Sequence, residues 1–219
     1  MNTTVYGTPA STRLPLVLAG LYALVWALAA INPLYPHDWL IENLLVFIAV
    51  PLLVLTYRRA PLSDAAYIGL FLFMCLHSTG SHYTYSEVPY DAWWQSLTGH
   101  TFNELFGWQR NHFDRAVHFC YGLLLTPAFA ELLGRVAPAR SRRWMIVMIA
   151  SFLGMHAMIY ELIEWAVAMI VAPELGAAYL GTQGDGWDAH KDMALATLGN
   201  AIALAWMAAT GRLAALTTR

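Results

Sequence analysis

Arg110-Asn111-His112-Phe113-Asp114-Arg115-Ala116-Val117-His118 is the stretch in which a polar loop turns into an apolar helix. At ~100° per residue, Asn111, Asp114 and His118 fall on one helical face, so a carboxylate and an imidazole one turn apart look at the same point. Two later apolar segments carry similar pairs, Glu161/Glu164 and Asp188/Asp192, and an earlier one ends in His77 and His82. The apolar runs around these groups decide the fold, and the groups themselves are the candidates for function.

Outward from this stretch the chain is 58% hydrophobic and 12% charged over 219 residues, with a mean hydropathy of +0.49. That is too little polar surface for a soluble domain of this size, and it reads as an all-α, polytopic transmembrane helical bundle. The net charge of -2 offers nothing to a polyanion. Without a zinc-finger pattern, a Walker loop or a basic helix, nucleic-acid recognition is excluded and membrane lipid is the expected partner. Cys75 and Cys120 lie inside apolar runs without C-x-x-C spacing, so they read as small buried hydrophobes.

Six spans follow from the runs that can cross a core of ~30 Å. They are expected at about Leu14–Ile31, Leu40–Tyr57, Ala65–Gly80, Phe113–Gly134, Trp144–Val171 and Asp188–Thr210. Arg13 and Ala27-Leu28-Ala29 also suit a cleavable signal peptide, but the first run is long for one, and a retained span is expected. Residues 1–12 are expected to be a mobile tail, 13–212 one helical domain and 213–219 a C-terminal tail. Between spans three and four, an outer loop over 81–111 carries Tyr90, Trp93, Trp94 and Trp108, the aromatic density of a headgroup interface and the sign of a partly ordered cap.

Arginine placement sets the orientation. Arg13, Arg58, Arg59, Arg135, Arg140, Arg142, Arg143, Arg212 and Arg219 fall on one side of a six-span arrangement, and Arg110, Arg115 and Lys191 on the other. The positive-inside rule makes the first side, and both termini, cytoplasmic. Counting ~1.5 Å per residue from that side puts His118 and Glu161 at ~25 Å and Asp192, Asp114 and Glu164 at ~30 Å. The ionisable groups of separate helices thus share one outer layer; His77, ~18 Å above Ala65, needs a tilt or a later helix start to join it.

Several polar residues have simpler explanations. Glu131 stands four residues before Arg135, as in an ion pair along a helix. His37, Asp38 and Glu42 open span two, where acids complement a helix N-terminus. His156 reads as a packing residue, and His100, His112 and His190 as rim groups. No pronounced G-x-x-x-G seam is visible.

The remaining set resists such explanations, because an ionisable group in a span costs of order 2.5–3.5 kcal/mol at the centre and usually faces a partner or a water-filled cavity. Arg115 and Lys191 alone do not balance it. A divalent metal held by His77, His82, Asp114, His118, Glu161, Glu164, Asp188 and Asp192 would balance it more completely. His plus carboxylate ligands suit zinc, manganese or iron, and an oxygen-only subset suits magnesium or calcium. Metal or catalytic use, proton or ion handling, and a structural polar network all stay open at this point.

Four blocks carry a family resemblance: His77-Ser-Thr-Gly-Ser-His82-Tyr-Thr-Tyr85, Arg110-Asn-His-Phe-Asp114-Arg-x-x-His118-Phe, Tyr160-Glu-Leu-Ile-Glu164-Trp and Gly181-Thr-Gln-Gly-Asp185-x-Trp-Asp188-x-x-x-Asp192-Met. They resemble the YjdF-like family of bacterial inner-membrane proteins over nearly the whole chain. The resemblance implies a multi-span protein of that membrane and brings no reaction with it. The last three blocks are also similar to VanZ-like membrane proteins at Asp114, Arg115, His118, Glu161, Glu164, Asp192, Gly199 and Asn200. Some of those are associated with glycopeptide resistance, but the His77/His82 block and the aromatic outer loop set this chain apart. The expectations are a metal-dependent enzyme on a lipid or lipid-linked envelope substrate with Glu161, Glu164 or Asp114 in catalysis, a proton-coupled transporter or channel, or a non-catalytic envelope or antibiotic-resistance protein.

Overall fold

The computed structural model describes residues 13–170 and 182–217. Among them it is built from helices, with one isolated bridge between Ala139 and Thr217. The long helices are α1 (Leu14–Ala29), α2 (Pro36–Thr56), α3 (Asp64–Tyr83), α6 (Phe113–Val136), α7 (Arg142–Ile170) and α8 (Asp188–Ala209). The expected outer loop holds a 3-10 turn (Tyr85–Glu87) and two short helices, α4 (Tyr90–Thr98) and α5 (Phe102–Phe106). Asp91 accepts from the Phe102 backbone N–H (2.7 Å) and Trp94 stacks on Phe102 (4.7 Å), so the cap is ordered by its own side chains. Residues 1–12, the end of the fifth expected span at Val171, and Gly181 lie outside the described residues.

By length and composition α2, α6, α7 and α8 can each cross a membrane; α1, at 16 residues, is a shorter apolar helix. Helix α2 starts four residues before the expected Leu40, because Pro36 sits at its first position, where a missing N–H costs nothing. Helix α3 starts at Asp64, behind the Ser63 cap, and runs three residues beyond Gly80. The later start that would have lifted His77 is therefore absent.

Helix α6 is the central one, packed along α8 on one side and α3 on the other, with α7 against both α6 and α8. The α6–α8 approach is closer than side chains permit. A Cβ added to Gly122 would overlap the Ala196 carbonyl, and one added to Gly199 would overlap the Phe119 carbonyl. Between these glycines Asn200 donates to Thr126 Oγ1 (2.7 Å), and Thr126 donates to the Gly122 carbonyl (2.5 Å). A small-residue seam is thus present within the chain, split between two helices rather than written as G-x-x-x-G on one.

Two apolar cores flank α6. Val46, Phe73, Met74, Val117 and Leu125 join α2, α3 and α6. Met145, Ile149, Met207, Leu213 and Leu216 fill the end of the bundle that carries Arg135. Leu213 and Leu216 belong to the expected tail but are buried, since the chain turns back after Gly211 and a 3-10 turn lays them on the core. At the same end Glu131 departs from the expected ion pair: it accepts from the Ser63 N–H (2.8 Å) and hydroxyl (2.5 Å), while Arg135 donates to the Pro61 carbonyl. The free donors at the start of α3 outcompete an Arg on the same helix, because they too are buried and need a partner.

Candidate functional site

The cluster forms where α2, α6, α7 and α8 converge at the Arg110 end of the bundle. Asp114 and His118 face inward one turn apart on α6, both buried. Helix α7 brings Glu161 and Glu164, and α8 brings Asp192. One potential ligand atom from each of Asp114, His118 and Asp192 lies within 4.8 Å of the others, and the same holds for His118, Glu161 and Glu164. His118 is common to both groups: its Nε2 is 3.5 Å from Asp114 Oδ1 and 3.4 Å from Glu161 Oε1.

These separations are longer than direct hydrogen bonds and overlap the spacing of two ligands on one ion. A direct N–H···O bond spans about 2.7–3.2 Å. Ligands about 2.0–2.2 Å from a tetrahedral centre stand roughly 3.3–3.6 Å from one another. Glu161 Oε1 and Asp192 Oδ1 are moreover buried without a hydrogen-bond partner. Buried carboxylate oxygens are normally satisfied, which sets these two apart from the other polar atoms of the cluster.

The other expected ligands are placed elsewhere. Asp188 accepts from Arg110 through both oxygens (2.6 and 3.2 Å) and from Arg115 (3.0 Å), which makes it the anchor of an ionic cap. His82 Nδ1 bonds the Ala29 carbonyl at the end of α1 (2.9 Å). His77 is fully buried with both nitrogens engaged, Nδ1 by the Tyr85 hydroxyl (2.5 Å) and Nε2 by the Glu42 carbonyl (3.2 Å). His156 lies at the surface against Phe129 and Phe152.

Glu42 joins the site instead of capping a helix. It is buried seven residues into α2 and accepts from the hydroxyl of Tyr160 (3.1 Å), the residue next to Glu161. Its distance from Pro36 is the signal that could have found it, because the helix dipole favours acids only in the first turn. Arg110 is the other residue whose role was missed; alone in the loop, it shows no partner until α8 is placed beside it.

The ionic cap closes over the cluster. Asp185 takes Arg115 and Lys191 (2.5 Å each), Arg110 also bonds the Thr182 carbonyl (3.1 Å), and Gln183 exchanges two bonds with the Asn111 backbone (2.9 and 3.0 Å). Lys191 first, then the Trp187 N–H and Arg115, hold the Asp185 carboxyl well below the usual carboxylate range. A depressed pKa contributes stability that is complete above the unfolded value, about 3.9, and is lost only as pH falls through the lower folded value. Amide protection over 182–188, measured by hydrogen exchange, is therefore expected to be as strong at pH 5 as at pH 7, after correction for intrinsic rates. Loss of protection by pH 5 would mean that these ion pairs do not hold the loop. Burial, then Arg115 and Arg110, push the nearby His112 imidazole down, and its ring lies tilted against Trp108 (4.3 Å).

Comparison with known proteins agrees with a membrane protein. Residues 14–212 match a family described as "Predicted membrane protein (DUF2238)". The chain is 36% identical over 167 residues to a protein of Escherichia coli (strain K12) named "Inner membrane protein YjdF", covering 74% of this chain and 75% of that one. No solved structure matches. The family match spans all six long helices and the cap between them, and the chain accordingly belongs to the DUF2238 family of membrane proteins.

Proposed function

We propose that this protein is a six-span enzyme of the bacterial inner membrane, with both termini cytoplasmic and one divalent metal in its outward-facing polar layer. His118, Asp114, Glu161 and Asp192 supply ligands, and Glu164 stands beside them as the candidate base. The observation that carries this reading is the pair of 3.4–3.5 Å separations about His118 Nε2, together with the orphaned oxygens of Glu161 and Asp192. One imidazole among carboxylates suits zinc, manganese or iron better than magnesium. Such an ion activates water or polarises a phosphoryl or carbonyl oxygen, and a lipid or lipid-linked envelope substrate meets the site from the bilayer.

An enzyme whose cluster lies toward one face is favoured over a transporter by what lies beneath. Below the cluster come Thr126 and Asn200, bonded to each other, and then the dry plug of Met145, Ile149, Met207 and Leu213, all fully buried. The likeness to VanZ-like proteins rests on the same carboxylates and His118, and adds no reaction.

Elemental analysis of detergent-purified protein tests the reading. One metal per chain is expected in wild type, its loss in folded His118→Ala and Glu161→Gln, and its retention in His82→Ala, whose ring points to α1. Metal-free wild type that takes up none of zinc, manganese or iron on addition would sink the proposal. So would undiminished metal in His118→Ala.

A further inference from the structure

The acidic cluster lies at the Arg110 end of the bundle. Away from it, α1, α2 and α3 enclose a groove that the proposed metal site does not use. Helices α1 and α2 each pack on α3, with little contact between their own backbones, and a volume of about 470 Å³ is left between them. Each helix turns one apolar face to it: Leu16, Ala19 and Ala23 on α1, Val50 and Val54 on α2, and Leu70 on α3.

Three observations bear on what fills this space. The first is polarity. The Tyr22 hydroxyl is bonded to Ser78 Oγ (3.2 Å), the Tyr67 hydroxyl accepts from the Leu62 N–H (3.2 Å), and Trp26 Nε1 donates to Asn43 Oδ1 (2.5 Å). These lining residues spend their polar atoms on the protein, so a polar ligand gains little here and a hydrocarbon chain gains close contacts. The second is length. Pro15 and Trp26, the first and last residues of α1 in the lining, are eleven positions apart. That is ~16 Å along a helix, about half of a ~30 Å hydrocarbon core and so the depth of one leaflet. Trp26, set against Trp39 (5.8 Å) and Phe47 (6.2 Å), closes the far end. The third is charge. At the open end Arg13 stands two residues before Pro15, and Arg58 and Arg59 directly follow the lining residue Tyr57; all three are exposed. Cations flanking the mouth of an apolar slot complement a phosphate whose tail runs inward.

We propose that this groove is a binding site for an anionic phospholipid, with one acyl chain between α1 and α2 and the headgroup phosphate at Arg13, Arg58 and Arg59. The lipid fills the gap and ties α1 and α2 together. Its headgroup lies at the end of the bundle away from the cluster, so it is a different molecule from the substrate proposed there, and the inference holds with or without a metal.

Native mass spectrometry of the whole protein, delipidated in detergent and titrated with phosphatidylglycerol or phosphatidylcholine of identical chains, tests it. One phosphatidylglycerol per chain is expected to bind at least tenfold more tightly than phosphatidylcholine. Ala19→Trp fills the groove while keeping the arginines, and is expected to weaken both lipids at least tenfold; Val54→Trp fills it from α2 and serves if the first variant does not fold. Replacing Arg13, Arg58 and Arg59 together by Gln keeps the groove, and is expected to abolish the preference while phosphatidylcholine binds as before. Equal affinity for the two lipids in wild type overturns the proposal, as does undiminished phosphatidylglycerol binding in a folded groove-filling variant or a preference that survives loss of the arginines. A photoreactive group at position 16 in liposomes is expected to label phosphatidylglycerol; cross-linking of two copies of the chain in its place would assign the groove to a second chain and overturn the lipid site.

Discussion

Gly122→Val is expected to lower the thermal midpoint of the detergent-solubilised protein by roughly 6–12 °C. The reason is the absence of any soft neighbour. At most core positions an added methyl displaces a side chain, but at Gly122 and Gly199 it meets backbone carbonyls of the facing helix. The helices must separate, stretching the Asn200–Thr126 bond and opening the cluster above it. Overpacking costs up to about 3 kcal/mol, and a chain of this size loses about 2–4 °C per kcal/mol. Gly199→Val is expected to behave alike, because each glycine is the other helix's clearance. Gly154→Ala is the control: nothing lies within 4 Å of the added carbon, and alanine favours the helix by up to about 1 kcal/mol. Equal midpoints for Gly122→Val and Gly154→Ala would mean that α6 and α8 do not touch as described.

The second large effect is expected from Asp188→Ala. Asp188 is 4% exposed and receives three donors from two arginines. Removing it takes away the bidentate partner of Arg110 and leaves Asp185 as the carboxylate for both guanidinium groups, and breaking a buried pair costs about 3–5 kcal/mol. Asp185→Ala, at the wetter edge beside the half-exposed Lys191, is expected to cost much less and to lose its effect in high salt, which screens exposed charges. Thermal midpoints of both variants at low and high salt make the comparison. Equal costs would show that Asp188 is no more buried than Asp185.

The convergence of Asp114, His118, Glu161, Glu164 and Asp192 was legible in the chain because helical rise converts residue number into depth. Three helices counted separately reach one layer. Depth does not give azimuth, however, and azimuth decided the rest. Asp188 shares a layer with Asp192 but turns toward Arg110, and His82 lies past the turn of α3 that meets the cluster. Glu42 was hidden by a convention about helix starts that holds for Asp38 and fails one turn later. Glu131 and Arg135 have the spacing of an ion pair, yet the start of α3 offered the carboxylate better donors.

The seam between α6 and α8 also dictates an order of events during synthesis. Thr126 and Asn200 stand 74 residues apart, so at about 5–20 residues per second α6 leaves the ribosome roughly 4–15 s before its principal partner. Through that interval Asp114, His118 and Thr126 are in the bilayer without the helix that encloses them, and only the arrival of α8 completes their surroundings. A chain arrested before α8 is therefore expected to be a target for membrane proteolysis, since the cluster is not closed until α8 is made.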